Sequence, residues 1–223
     1  MDLEHWTKEK KEVEKVEKVE QIPGMEEIVK KLGELKEIIK GKVVVLFGAP
    51  LVGKSILVHL ISRHFENPIL FKIDTNYQNE YKSLNPKLKY ISIASPKQLL
   101  FYLRKLSVNS ETLLILDSLT TMASDILGER IYTSPKAFNE VAQFYDIVIN
   151  SLGKFRNIAT SIVTTHEKII DFSTGEIGPR MNLVTLRNAD IVLRLSVENN
   201  IRKLTSWKMR EKPKKIEDIV IEI

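Results

Sequence analysis

The stretch "GAPLVGKS" at residues 48–55 constrains the fold more than any other feature of this sequence. It matches the pattern G-x-x-x-x-G-K-[ST], with Gly48, Gly53, Lys54 and Ser55 at the fixed positions. The apolar run "KVVVLF" precedes it, and the helical pattern "ILVHLISRHF" follows. The two glycines permit a tight backbone path with inward N–H groups, and the helix adds its positive N-terminal end. The stretch therefore predicts a phosphate-binding loop between a buried strand and a helix.

The residue types assign chemical roles within this loop. Lys54 is expected to reach the β- and γ-phosphates of a nucleotide, and Ser55 to coordinate Mg²⁺. A second Mg²⁺ ligand is predicted at Asp117, which ends the apolar run "LLIL". ATP and Mg²⁺ are the predicted cofactors. The predicted nucleotide contacts are Gly48, Ala49, Pro50, Leu51, Val52, Gly53, Lys54, Ser55 and Ile56.

Strand and helix patterns alternate along most of the chain, which predicts an α/β fold with a mostly parallel central sheet flanked by helices. After residue 190 the pattern changes to short alternating segments, which predict antiparallel strands at the C-terminus. Residues 1–24 are expected to form a charged N-terminal arm, and residues 25–223 a single core. The predicted helices are 25–40, 96–106 with Ser95 as cap and 134–155 with Ser134 as cap; the predicted strands are 42–47, 69–73, 112–117 and 158–165.

Composition narrows the class of protein. With 223 residues and 43% apolar content, the chain can bury one large core. It has no cysteine, so disulfides and cysteine-based zinc sites are excluded. It has no long apolar run and no apolar signal core near its start, so we expect a cytoplasmic protein without a membrane partner. Abundant Lys, Glu and Ile with no Cys suit a thermophile.

Basic residues concentrate near the C-terminus, although the net charge of +5 is modest. Two interpretations stay open: a patch that meets phosphates, or a solvated strand edge that lysines protect from aggregation. The seven basic residues are Arg202, Lys203, Lys208, Arg210, Lys212, Lys214 and Lys215.

Five segments together resemble the RecA/RadA recombinase superfamily, in particular archaeal RadA paralogues and their KaiC-like relatives. The resemblance covers roughly residues 25–223 and implies a RecA-like P-loop NTPase core. It also implies that Lys208 and Arg210 reach the nucleotide of a neighbouring subunit, and hence self-association or a recombinase partner. The segments are "GAPLVGKS", "ILFKIDTN", "LLILDSLTTM", "SIVTTHEK" and "KLTSWKMR".

The chain departs from this family at two catalytic positions. Asn76 stands where the family has a Glu that orients the attacking water. An amide can hold a water but cannot accept its proton, so we expect slow ATP hydrolysis unless Glu80 substitutes as the base. Thr165 and His166 replace the family's Asn-Gln, which makes His166 the expected γ-phosphate sensor.

The resemblance also places two DNA-binding loops, at about residues 119–134 and 167–189. Arg and Lys in the second loop suit phosphate contacts, and its aromatic residue offers a surface for base stacking. The predicted contacts to single-stranded DNA are Lys168, Phe172, Arg180 and Arg187.

Three functions therefore stay open. The first is an ATP-binding, weakly hydrolysing accessory protein of homologous recombination and DNA repair that binds single-stranded DNA. The second is a KaiC-like regulatory or scaffold ATPase that acts on protein partners. The third is a small-molecule kinase with "KMREKPKK" as its lid. A signalling GTPase is not supported, because the guanine-reading pattern N-K-x-D is absent.

Overall fold

Six parallel strands form the centre of the sheet in this computed structural model, which describes residues 25–72, 85–127, 136–199, 201–209 and 219–221. The strands are β1 (Val43–Gly48), β2 (Asn67–Lys72), β3 (Lys89–Ser92), β4 (Thr112–Asp117), β5 (Thr160–Asp171), β6 (Glu176–Pro179), β7 (Ile191–Glu198), β8 (Ile201–Met209) and β9 (Ile219–Ile221). The sheet order is β3-β2-β4-β5-β1-β7-β8-β9, and β6 pairs with β5.

Helices cover both faces of this sheet. They are α1 (Met25–Ile39), α2 (Lys54–Ser62), α3 (Pro96–Lys105), α4 (Leu119–Leu127), α5 (Lys136–Gly153) and α6 (Leu183–Arg187). One buried cluster joins α1 and α2 to the sheet, and a second joins α3, α4 and α5 to the opposite face. Strands buried on both faces explain the nearly unbroken apolar runs in the sequence.

Several predicted elements are confirmed by the structure. The helix predicted from residue 25 ends at Ile39, followed by Gly41 with φ of 69°. The Ser95 hydroxyl accepts a hydrogen bond from the Gln98 N–H and caps α3 as expected. The pairs β7–β8 and β8–β9 are antiparallel, as the C-terminal pattern predicts. In addition, β7 lies parallel to β1 and thus joins the two parts of the sheet.

The two segments expected to be loops are partly regular structure, and that expectation was wrong. Residues 119–127 form α4, which continues directly from the end of β4. The strand predicted to end at residue 165 extends to Asp171 and forms a hairpin with β6. A local turn explains this hairpin, because Asp171 accepts hydrogen bonds from the backbone N–H and the hydroxyl of Ser173, and Gly175 adopts φ of 70°. The short helix α6 follows, capped by Asn182.

Other predicted features lie outside the described residues. These are the charged arm at 1–24, the cap residues Ser134 and Pro135, and the continuation of the second predicted strand beyond Lys72. The structure adds β3, a short strand beside β2 that the sequence pattern did not predict. No helix among the described residues is long and apolar enough to cross a membrane.

Candidate functional site

The loop after β1 has the geometry that its glycines predicted. Gly53 has φ of 101°, a left-handed conformation that glycine adopts without strain, and it caps α2. A Cβ atom on Gly48 would lie 2.2 Å from the carbonyl oxygen of Leu195, so only glycine fits there. The Val52 side chain is buried in the core, whereas Leu51 is 99% exposed. Val52 therefore anchors the loop to the core, while Leu51 faces solvent.

Lys54 is buried beneath this loop at the start of α2. Its ammonium group donates hydrogen bonds to the carbonyl oxygens of Gly48, at 3.0 Å, and Ala49, at 2.7 Å. Burial lowers the pKa of Lys54, while the carboxylates of Asp117 and Glu167 act in the opposite direction. Both carboxylates therefore lie near enough to influence this cation.

Asp117 ends β4, and its carboxylate is held in place by the neighbouring strand. The Thr164 hydroxyl donates a 2.6 Å hydrogen bond to Oδ1 of Asp117. The register explains this contact, since Leu116 lies beside Val163 and the next residue of each strand therefore lies side by side. The peptide bond from Asp117 to Ser118 is cis.

His166 lies in β5 beside Gly48, in a strand rather than in a loop. Its backbone N–H donates to the Thr120 hydroxyl at 3.0 Å, and that hydroxyl is bonded to the Thr165 hydroxyl at 2.9 Å. The pKa of His166 is lowered by burial first, then by Lys54 and by Arg180. Because its pKa lies below the ordinary value, the imidazole is mainly neutral at pH 7.

These groups meet around a cavity of about 390 Å³. Its position follows from the topology, because the carboxyl ends of parallel strands lie at one edge of the sheet. The cavity brings together the predicted phosphate, metal and sensor residues from three separate parts of the chain. Its lining is Pro50, Leu51, Gly53, Lys54, Ser55, Ile56, Lys72, Asp117, Ser118, Thr121 and His166.

The donor set of this cavity fits Mg²⁺. Ser55 and Asp117 supply hard oxygen ligands, and Mg²⁺ is commonly held by one or two such side chains together with substrate phosphates and water. Among the described residues there is no cluster of three or more His, Cys, Asp or Glu side chains that would form a metal cage. A magnesium ion here would therefore depend on the phosphates of a bound nucleotide.

The sequence reasoning did not place two cations at this site, although it named Arg202 among the basic residues near the C-terminus. Arg202 on β8 donates a hydrogen bond from Nε to the carbonyl oxygen of Val52 at 3.1 Å, and so supports the loop from a distant strand. Lys72 ends β2 and lines the cavity. The sequence contained one sign of Lys72's position, because a lysine follows the apolar residues of a predicted strand.

Four predicted residues cannot be placed at the site. Asn76, Glu80 and Arg210 lie outside the described residues. Lys208 lies in β8 beside Val192, and its side chain is likewise outside the described part.

A second cavity of about 250 Å³ lies between α4, α5 and the hairpin of β5 and β6. Among the predicted DNA contacts, Lys168 and Arg180 line it. Phe172, 88% exposed near the hairpin tip, and Arg187, exposed at the end of α6, are not among its lining residues.

Two aromatic side chains that the sequence reasoning did not single out complete this second cavity. Phe138 is 57% exposed on α5. Tyr145 is buried on the same helix, and burial raises its pKa to about 12, although Arg180 acts in the opposite direction. The second cavity thus combines two cations with an exposed aromatic ring.

The architecture and the position of the loop define a RecA-like P-loop core. A solved structure of the same fold is the crystal structure of the RadB recombinase, which superposes with a TM-score of 0.60 over 80% of this chain and 88% of that chain. The two sequences are 11% identical, so the likeness shows the fold alone. No protein-family model and no curated protein sequence matches the chain.

Proposed function

We propose that this protein is a Mg²⁺- and ATP-binding accessory protein of homologous recombination or DNA repair that binds single-stranded DNA and hydrolyses ATP slowly. The observation that carries the nucleotide part is the convergence of Lys54, Asp117 and His166 on one cavity at the carboxyl edge of the sheet. The fold shared with the RadB recombinase supports the recombination part.

The phosphate chemistry follows from the residues around the cavity. Bound phosphates would compete with the Gly48 and Ala49 carbonyl oxygens for the Lys54 ammonium, which is already positioned beneath the loop. A magnesium ion, when bound, would neutralise phosphate charge, with Ser55 and Asp117 as its protein ligands. His166 would donate a hydrogen bond to the terminal phosphate.

Slow hydrolysis is proposed from the sequence. Asn76 cannot accept a proton from the attacking water, and general-base catalysis typically contributes about 10²–10⁴-fold in rate. Glu80 would be the substitute base, and Lys208 and Arg210 would complete the site of a neighbouring subunit. Turnover per molecule should therefore be slow and should rise with protein concentration.

Single-stranded DNA binding is supported by the second cavity. Lys168 and Arg180 supply charge for phosphates, while Phe138 presents a ring on which a base can stack. Phe172 and Arg187 would extend this surface along the strand. We expect the protein to work in the cytoplasm. Residues 1–24 would form a charged arm outside the ATPase core.

Two measurements test the proposal. ATP turnover is measured against protein concentration, with and without single-stranded DNA; the expected result is slow turnover that rises with both. Fluorescence anisotropy of labelled single-stranded DNA is measured across salt concentrations, and the affinity should fall steeply as salt rises.

Other outcomes would contradict parts of the proposal. Fast, DNA-independent turnover that is first order in a monomer would exclude it. ATP binding without any DNA affinity would favour the regulatory or scaffold ATPase. Transfer of phosphate to a metabolite would favour the small-molecule kinase.

A further inference from the structure

A second lysine, Lys72, lies in the phosphate cavity. It is the last residue of β2, is 8% exposed and stands directly beside Asp117 in the register of β2 and β4. It follows three apolar residues of a buried strand. Lys72 therefore occupies on β2 the strand-end position that Asp117 occupies on β4.

The alternation of side chains along β2 places Lys72 on the face of the sheet that carries α2. Residues two apart in a strand share a face, and Leu70 belongs to the buried cluster that contains Leu57 of α2. Lys72 therefore points toward the same side as Lys54, and both line the cavity.

The charges of the cavity suit a ligand with several negative charges. Among the described residues that line the cavity, the charged side chains are those of Lys54, Lys72 and Asp117, and Glu167 also acts on Lys54. Removing charged groups from water is costly, and a bound phosphate would offset this cost through charge-assisted hydrogen bonds. Gly53, Lys54 and Ser55 line the cavity from the loop and the start of α2, whereas Lys72 and Asp117 end their strands and His166 lies within β5.

We propose that Lys72 is a second phosphate ligand that makes the site select a nucleoside triphosphate over a diphosphate and reduces its dependence on Mg²⁺. The proposal rests on the proposed function, because it requires a nucleotide in this cavity. The loop N–H groups contact phosphates common to both nucleotides, and Lys54 reaches the β-phosphate as well as the γ-phosphate. Lys72 adds a contact that is made only to the terminal phosphate of the triphosphate.

The test is calorimetric titration of the full chain with ATP and with ADP, each in Mg²⁺ and in EDTA. Lys72→Met should weaken ATP binding by about tenfold or more, as expected for loss of a charge-assisted hydrogen bond, and ADP binding by about threefold at most. Lys72→Arg keeps the charge and should recover most of the ATP affinity. The loss of ATP affinity on adding EDTA should be larger in Lys72→Met than in the wild type.

Lys89→Met is the matched control. Lys89 is exposed at the start of β3, at the opposite end of the sheet from the cavity, and its removal should change neither affinity. Thermal melting checks that each variant is folded. Lys72→Gln, which keeps a polar end group, carries the same expectation if the methionine variant does not fold.

The outcomes separate this inference from the proposed function. Wild-type protein that binds neither ATP nor ADP would overturn both. Wild-type protein that binds ATP, with Lys72→Met losing ATP and ADP affinity equally or losing neither, would overturn the role of Lys72 alone.

Discussion

The hydroxyl of Thr164 on β5 donates a 2.6 Å hydrogen bond to the carboxylate of Asp117 at the end of β4. The proposed magnesium ligand is therefore oriented by a residue from a different strand, 47 positions away in the sequence. A ligand held in this way loses less freedom when the metal binds, so Thr164 should affect metal affinity without touching the metal.

Thr164→Val tests this orientation. Valine keeps the shape of threonine but removes the donor, so Mg²⁺ affinity at fixed ATP, or the Mg²⁺-dependent turnover, should fall by about tenfold. The measurement is a Mg²⁺ titration of ATP binding. Thr164→Ser restores the hydroxyl and should restore most of the affinity. Equal Mg²⁺ affinity in wild type and Thr164→Val would show that Asp117 needs no such support.

The pH dependence of nucleotide binding should depend on His166. The pKa of its imidazole is lowered by burial, by Lys54 on α2 and by Arg180 after β6, while Asp117 on β4 acts in the opposite direction. Phosphates would add negative charge and raise the pKa of His166, so binding takes up a proton. ATP affinity should therefore rise as pH falls through the pKa of His166 in the complex, by up to about tenfold per pH unit, and level off below its lower pKa in the free protein.

His166→Gln is the control for this pH dependence, because glutamine can donate a hydrogen bond but does not titrate. The nucleotide itself also titrates, but equally in both proteins, so the difference between the two profiles isolates His166.

The lowered pKa of His166 should also make the folding stability of the nucleotide-free protein depend on pH, but with the opposite sign: stability falls on acidification. Its contribution to stability is present above about 6.5 and is lost as pH falls toward the folded-state pKa, so wild type should lose more stability on acidification than His166→Gln. Parallel profiles would contradict this role for His166.

Two glycine-to-alanine changes should have opposite effects on stability. Gly48→Ala places a Cβ 2.2 Å from the Leu195 carbonyl oxygen, a backbone atom that cannot move freely, so it should destabilise the protein by about 3 kcal/mol or more. Gly33→Ala lies in α1, where the new Cβ would meet the His64 ring at 3.6 Å, an ordinary contact. It should stabilise the protein by about 0.5–1 kcal/mol through helix propensity.

Urea unfolding measures both glycine changes. The midpoint should decrease for Gly48→Ala and increase for Gly33→Ala, with little change in the slope of free energy against urea concentration. An unaltered midpoint for Gly48→Ala would mean that β7 can withdraw from the phosphate loop at no cost.

Two substitutions in the second cavity should distinguish the contribution of base stacking from that of charge to single-stranded DNA affinity. Phe138→Ala removes the exposed ring and should weaken single-stranded DNA binding by about 1–3 kcal/mol at every salt concentration. Arg180→Gln removes one phosphate contact, so the slope of log affinity against log salt should become less steep by about 0.7. Anisotropy titrations at several salt concentrations measure both effects.

Arg104→Gln is the matched control for this surface. Arg104 is exposed in the last turn of α3, which precedes β4 and so lies at the opposite edge of the sheet from both cavities. It removes the same charge as Arg180→Gln but should leave the DNA affinity unchanged. If all three variants bind DNA alike, the second cavity is not part of the DNA surface.

The fold class and the phosphate loop were predictable from the sequence because their signals are local. Each signal lies within a short stretch of chain. These signals are the glycine spacing of residues 48–55, the apolar runs of the strands and Asp117 at the end of one of those runs. The hairpin of β5 and β6 was not predicted, because its polar residues interrupt the apolar pattern that indicates a strand. The turn at Ser173 to Gly175 nevertheless contains the residue types that such a turn requires.

By itself, the sequence predicted which residues would bind phosphate, and the departure at Asn76 predicted slow ATP hydrolysis. Only the tertiary structure decided which other residues share the site. Lys72 and Arg202 come from β2 and β8, and no spacing along the chain relates them to the loop. The physical reason is strand register: pairing in the sheet brings side chains from distant segments to one edge, and the register is set by contacts over the whole core.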